Sequence, residues 1–367
     1  MTRFAVRPFL DSMRVPRRGV ATLAVAAGFL IAATEGRTQL TYSTFVSAGS
    51  LLALPGLGQN NTIGFAYAGN KFVGSVYFGT NNRQLYATDL DGSNVRLFGA
   101  PIVSAGSGEM YVSSSIGLGG FVPRNVFAGF ENVGSVYQIA NDGSTQSIFT
   151  SGLSGGVRSI AFDPYGLYGY DMIVATHSGD IYRVNMGGTA TLLASVGEDA
   201  EGLSFAPDVF GPFAKGTLVV ASEGSGSLRA VSPTGVLTFV AHVASAEMVS
   251  FVPLNLGLSG NPVEGFYAAS YPNNIVKVAA TDFLPYLGDM MVTGEGTHVM
   301  NRVHWDGSSF LTSTLTPAFP GQPEDGIFVT ADIIRSTVPE PATAALLVPG
   351  LLAIGALARR RRVRPQR

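Results

Sequence analysis

Six polar residues at matching places in a repeated pattern are the strongest candidates for chemistry: Asn61, Glu109, Arg158, Glu201, Glu247 and Asn301. Three carboxylates and two amides converging on one funnel would supply hard oxygen donors, the type that calcium gathers in sets of about six to eight. Glu109, Glu201 and Glu247 are the metal-ligand candidates in that set. The same residues could instead form a solvated polar rim, and the sequence leaves both readings open. No residue is marked as catalytic. The chain has no Gly-x-Ser-x-Gly elbow, no His-Glu-x-x-His, no Walker loop and no EF-hand loop. Histidines are scarce, with His177 near Asp180 at a strand turn and His298 and His304 six residues apart. Such histidines are more often exposed or hydrogen-bonded than ligating.

The elements that would position these residues follow from the repeat. Arg158-Ser159-Ile160-Ala161-Phe162-Asp163-Pro164, Glu201-Gly202-Leu203-Ser204-Phe205-Ala206-Pro207 and Glu247-Met248-Val249-Ser250-Phe251-Val252-Pro253 share one pattern: polar, any, aliphatic, small, Phe, any, Pro. Weaker copies begin at Asn61, Glu109 and Asn301, so the unit recurs at intervals of about 43 to 54 residues, the length of one four-stranded propeller blade. Alternating apolar and polar residues, as in Ile181-Tyr182-Arg183-Val184, read as strands. Asp91-Gly92, Asp142-Gly143, Gly187-Gly188 and Thr234-Gly235 recur where a hairpin should join the last two strands of a blade. The run Ser222 to Ser227 reads as another, flexible, hairpin tip.

Six copies predict an all-β, six-bladed β-propeller of four-stranded blades spanning 40–335, with five or seven blades as the alternative registers. The blades are expected near 61–106, 107–155, 156–198, 199–244, 245–296 and 297–334. The last is one strand short, and 40–46 is expected to supply its outer strand and close the ring.

Composition agrees with a Gly-rich β fold: 46 glycines in 367 residues and 13% charged residues. A formal net charge of −2 gives no reason to expect nucleic acid as a partner. With no cysteine, the chain has no disulfides, no thiolate zinc site and no thiol nucleophile. Tyr165, Tyr168, Tyr170, Tyr267, Tyr271 and Tyr286 fall in connections between strands, where they would either pack between blades or offer flat faces to a sugar polymer.

Both ends of the chain carry address signals. Arg3, Arg7, Arg14, Arg17 and Arg18 precede an apolar, Ala-rich run from Gly19 to Ala33, so 1–36 reads as a signal peptide with a signal helix, cut near Ala33 to Gly36. Arg17-Arg18 also allows a twin-arginine reading, although the flanking residues fit it poorly. At the other end Val338-Pro339-Glu340-Pro341 is followed by an apolar stretch over 342–358, then Arg359-Arg360-Arg361-Arg362 and a short tail over 363–367. As a helix that stretch is roughly 26 Å long, just enough to cross a bilayer, and the arginines would hold the tail in the cytoplasm. An ordinary tail anchor is the alternative.

The segment 338–362 resembles the PEP-CTERM sorting signal of exported bacterial proteins. That resemblance implies recognition by an exosortase-type membrane peptidase, cleavage near Pro339 to Pro341, and a transient inner-membrane anchor followed by the cell surface or the medium. It also implies an association with exopolysaccharide. In blade number and strand pattern the middle of the chain is similar to propellers of the gluconolactonase and strictosidine-synthase-like group, some of which hold a metal in the channel. The expectation is therefore an exported, noncatalytic binding or structural module that meets a polysaccharide or another envelope protein. The alternative is an extracellular, lactonase-like hydrolase with a channel metal.

Overall fold

The computed structural model describes residues 39–78, 83–102 and 108–335. The expected signal peptide and sorting signal lie outside them. Among the described residues no helix is long and apolar enough to cross a membrane.

In chain order, β1 (Ser43–Val46) and a short helix α1 (Ala48–Leu52) precede the first blade. That blade is β2 (Thr62–Tyr67), β3 (Phe72–Val76), β4 (Leu85–Thr88) and β5 (Arg96–Phe98). The second is β6 (Met110–Ser114), β7 (Val126–Phe130), β8 (Val133–Ile139) and β9 (Gln146–Ser151). The third is β10 (Val157–Phe162), β11 (Met172–Thr176), β12 (Asp180–Val184) and β13 (Ala190–Ser195). The fourth is β14 (Leu203–Phe205), β15 (Leu218–Ser222), β16 (Ser227–Val231) and β17 (Leu237–His242). The chain continues through β18 (Ala246–Phe251), β19 (Gly265–Tyr271), β20 (Asn274–Ala279), a 3-10 helix (Ala280–Tyr286), β21 (Met290–Gly294), β22 (Val299–Trp305), β23 (Phe310–Thr314), β24 (Gln322–Val329) and α2 (Ala331–Arg335).

These strands make six antiparallel four-stranded sheets, so the protein is a six-bladed β-propeller. The first strands of the sheets pack side by side around the axis: β2 beside β6, then β10, β14, β18, β24 and back to β2. Glycine makes that approach close enough, since a Cβ on Gly202 would lie 2.4 Å from the Glu247 carbonyl oxygen of the neighbouring blade. Each apolar core fills one wedge between adjacent blades, as in the cluster of Phe78, Leu85, Met110, Val126 and Phe130 between the first and second.

The last two blades are interleaved, which corrects the expected boundaries 245–296 and 297–334. The fifth sheet runs β18-β21-β22-β23, while the sixth runs β24-β19-β20-β1 from the axis outward. The β19–β20 hairpin is thus an excursion into the next blade, after which the chain returns to finish the fifth. Asn301 to Trp305 consequently forms β22, a third strand, and not an innermost one. The innermost strand of the sixth blade is β24, where Glu324 and Phe328 keep the four-residue interval of Glu201–Phe205 and Glu247–Phe251.

The strand preceding the first repeat, β1, lies outermost in the sixth blade and pairs with β20. Phe45 of β1 packs edge-on against Phe65, Phe72 and Tyr267, joining the two ends of the ring through one aromatic cluster.

Candidate functional site

All innermost strands run the same way, so their starts meet at one mouth of the channel and their ends at the other. A cavity of about 290 Å³ runs between the two, with Tyr111, Arg158, Glu201 and Glu247 toward one end and aromatic side chains such as Phe162, Phe205 and Phe251 toward the other. The channel is therefore polar at its entrance and apolar beyond.

At the polar mouth Arg158, from β10, is the hub. Its Nη1 donates to Glu109, to Tyr111 Oη (2.9 Å) and to Glu131 Oε2 (3.2 Å). Nε and Nη2 grip Asp199 as a fork, at 3.1 Å and 2.8 Å to Oδ2, and Nη2 lies 2.5 Å from Glu201 Oε1. A planar guanidinium is suited to such multiple pairing. His177 Nδ1 lies 2.7 Å from Asp199 Oδ2.

One arginine is not enough charge for what surrounds it. A second ring of acids comes from the tips of hairpins joining the second and third strands of blades: Glu131 after β7, Glu223 after β15 and Glu295 after β21. Oxygens of Glu201, Glu223 and Glu247 all lie within 4.8 Å of one another. Glu247 and Glu324 are held well above the ordinary carboxylate range, first by burial and then by the charge of neighbouring carboxylates. Burial pushes the Glu201 carboxyl up to about 7. A hydrogen bond shared with Glu223, together with burial, brings Glu295 up to about 8. Glu247 lies beside Glu201 and Glu295 beside Glu223, close enough for each pair to share a proton, and Gln322 Nε2 bridges Glu295 and Glu324 (2.9 Å to Glu324 Oε1). Two buried oxygens of this cluster have no hydrogen bond; one of them, Glu201 Oε1, keeps its ion pair with Arg158. Glu247 Oε2 is buried and without a hydrogen-bond partner, on a residue only 4% exposed.

Of the six residues singled out in the sequence, Glu109, Arg158, Glu201 and Glu247 meet here. Asn61 stands at the corresponding start of β2, its carbonyl accepting from Tyr77 N (2.6 Å). Asn301 does not belong to the ring; it lies in the third strand of the fifth blade and its Oδ1 accepts from Thr314 Oγ1 (2.9 Å). Glu324 takes the sixth place. Sequence reasoning missed Glu131, Asp199, Glu223, Glu295 and Glu324. An available signal was the acid following an apolar strand and preceding a turn, as in Phe130-Glu131-Asn132, Ser222-Glu223-Gly224 and Gly294-Glu295-Gly296. The tip that reads as merely flexible, Ser222 to Ser227, delivers Glu223 to the cluster.

The tyrosines divide. Tyr168 and Tyr267 are fully buried, and Tyr168 Oη accepts from Leu218 N (2.9 Å) while donating to the Val231 carbonyl. Tyr286 is buried as well, whereas Tyr165 and Tyr170 are exposed on the loop between β10 and β11. His304 is engaged by Asp289 (Nδ1 to Oδ1, 2.7 Å).

No family model matches the chain, and no curated protein is similar to it. Solved structures are. A chain in the crystal structure of a nidogen/laminin complex superposes with a TM-score of 0.51 at 13% identity, over 74% of this chain and 85% of that one. The PQQ-bound aldose sugar dehydrogenase of Streptomyces coelicolor gives 0.49 at 12% identity, covering 76% and 86%. A provisional gluconolactonase gives 0.47 at 10% identity, covering 76% and 83%. At such identities the likeness concerns the fold, a propeller architecture that hosts unrelated functions.

Proposed function

We propose that this chain is an exported propeller that works as a noncatalytic binding module, and that its binding site is the acidic channel mouth, holding a hard divalent cation such as calcium. The supporting observation is Glu247 Oε2, a buried acceptor without a partner beside the carboxylates of Glu201 and Glu223. A buried polar atom left unpaired costs roughly 1–3 kcal/mol, and a donor set made only of carboxylate oxygens suits calcium over softer metals. Glu201, Glu223 and Glu247 would hold the ion, with Glu295 and Glu324 close enough in the network to adjust. A bound calcium supplies a positive centre to which hydroxyls or carboxylates of a partner can be attracted, which makes an acidic or hydroxyl-rich polysaccharide, or an envelope protein, the natural partner class.

Titrating chelator-treated protein with calcium at pH 8 tests this reading. Stoichiometric binding and a higher thermal midpoint are expected in the wild type, and both should be lost in Glu247→Gln. Absence of binding in the wild type would rule out the cation site.

Export and sorting complete the proposal. Arg335, the last residue of α2, stands three positions before Val338-Pro339-Glu340-Pro341, so an exosortase-type peptidase would meet its motif directly beyond the folded domain. Replacing Pro339, Glu340 and Pro341 by alanine should leave an uncut precursor in the membrane; normal processing of that variant would refute the sorting reading.

A second reading, a lactonase-like hydrolase with a channel metal, is favoured by one observation. Glu201, brought up to about 7 by burial and lying beside Glu247, could exchange a proton near neutral pH, as a general acid or base must. Turnover of simple lactones by the calcium-loaded protein, abolished in Glu201→Gln, would favour this reading over the noncatalytic one.

A further inference from the structure

The two faces of the propeller differ in kind. The ends of the innermost strands lead into long connections on one face: 115–125 after β6, 163–171 after β10, 206–217 after β14 and 252–264 after β18. Leu118 and Val122, Tyr165, Leu167 and Tyr170, Val209, and Leu254 and Leu258 are exposed on these four loops. Met186 and Val236 at turns, and Leu284 on the 3-10 helix, are exposed on the same face. Apart from Leu52 and one residue on each of five outer strands, every exposed large apolar side chain among the described residues is on this face. The opposite face carries the glutamate cluster of the channel mouth.

These loops form a continuous surface. Gly119 lies against Tyr170 of the next blade, and Gly216 lies against Tyr165 and Leu167. Lys215 Nζ sits 4.9 Å over the Tyr165 ring, and Asn255 bonds to Asp332 of α2. Helix α2 is itself fixed here: Arg124 donates to the Ile333 carbonyl, Glu264 Oε1 accepts from Ala331 N (2.9 Å), and Ile333 lines the channel cavity.

The chain therefore leaves the propeller on its apolar face, and only 336–341 separate α2 from the apolar run that begins at Ala342. Six extended residues reach about 20–22 Å. Turning the acidic face toward the same place would require the tether to pass around the rim. That path crosses three inter-strand spacings of about 4.8 Å and then a strand length of about 17–20 Å, which exceeds its reach. Exposed apolar loops in a continuous patch rarely go uncovered.

We infer that this loop face is a bilayer-contact surface: while the chain is anchored, Leu118, Val122, Tyr165, Val209, Leu254 and Leu258 rest in the interfacial layer of the membrane and the acidic mouth points away from it. The inference rests on the sorting reading above, in which 342–358 crosses the membrane. Tyrosine and leucine suit the interfacial layer, where an apolar body and a polar tip are both accommodated. This face also carries exposed acids, Asp91, Asp142 and Asp306 on outer hairpin turns, Asp208 beside Val209 and Asp332 on α2, which favour a zwitterionic over an anionic headgroup layer.

The chain has no cysteine, so single labels can be placed cleanly. In the full, uncut chain reconstituted in phosphatidylcholine vesicles, an environment-sensitive fluorophore is attached at Val209→Cys, Leu258→Cys or Asn273→Cys. Asn273 is exposed at a hairpin tip on the acidic face. Labels at 209 and 258 should shift to the blue and be quenched severalfold more by nitroxide-bearing lipid than the label at 273. Equal quenching at the three positions, or unquenched loop labels on a chain that floats with the vesicles, would overturn the surface while leaving the anchor intact. A chain that fails to float overturns the anchor and, with it, the reason to place this face on lipid.

Discussion

At the scale of single residues, the channel mouth is governed by a mismatch between fixed charges. Arg158 is the cation among the acids that touch it, and its fork geometry satisfies Glu109, Glu131, Asp199 and Glu201 without reaching Glu247. The remaining acids are near enough to repel, and Glu247, Glu295 and Glu324 are pushed toward their neutral forms. A carboxyl whose folded pKa lies above its unfolded value binds its proton more tightly when folded. Its contribution is complete below the ordinary value of 4.5 and is lost as pH rises through the folded value, about 7 for Glu201 and about 8 for Glu295. The cation-free protein should therefore become less stable between pH 4.5 and 8, by on the order of 3 kcal/mol from Glu201 alone at ~1.4 kcal/mol per unit. Urea unfolding across that range measures it. Calcium at pH 8 should restore the loss, and Glu201→Gln should flatten the slope; a wild-type slope of the opposite sign would contradict this account. Glu201 and Glu247 could be read from the repeat because a fixed interval separates each start from the aromatic position, and Glu109 from a weaker copy in which Ser113 takes that position. Glu223 and Glu295 had a local signal as acids between an apolar strand and a turn, but nothing in it says where such a side chain will point.

At the scale of elements, the outer hairpins do more than turn. Gly92, Gly143, Gly188 and Gly235 all have φ between 76° and 83°, as expected of hairpin glycines. Each also leans on the outer strand of the preceding blade. A Cβ at Gly188 would lie 2.1 Å from the Phe149 carbonyl oxygen, at Gly235 2.0 Å from that of Leu193, and at Gly92 2.2 Å from that of Phe45. The turn is thus both a local conformation and an inter-blade contact. Gly235→Ala combines backbone strain with a clash against backbone, and should cost roughly 1–3 kcal/mol or more in thermal or chemical unfolding. Gly197→Ala is a suitable control, because its φ is 75° but nothing lies within 4 Å of its Cβ position. Equal effects in the two variants would show that the docking contact is unimportant. The Asp-Gly and Gly-Gly pairs made the turns legible. Their docking partners belong to a blade some 40 residues away and left no local trace.

At the scale of the whole molecule, closure depends on joining the chain's two ends in one sheet: β1 outermost and β24 innermost in the sixth blade. Phe72 lies at the heart of that junction, fully buried against Phe45, Phe65, Tyr67 and Tyr267. Phe72→Ala should cost about 3–5 kcal/mol. Removing β1 should leave β20 as a bare edge and promote association between copies, visible as a concentration-dependent increase in mass by light scattering. A monomer of unchanged thermal midpoint after that deletion would mean that the ring does not need its outer strap. The sequence by itself determined the all-β class, the blade period, the hairpin positions and five of the six starts in the channel ring. Those features rest on local rules: alternation, turn chemistry and the interval from a polar start to a phenylalanine. Only the tertiary structure decided that β19 and β20 cross into the sixth blade, that Glu324 displaces Asn301 from the ring, and that hairpin acids close over the mouth. Strand pairing between distant segments is chosen by which edges and apolar faces remain unfilled once the neighbours are in place, and no window of sequence contains that information.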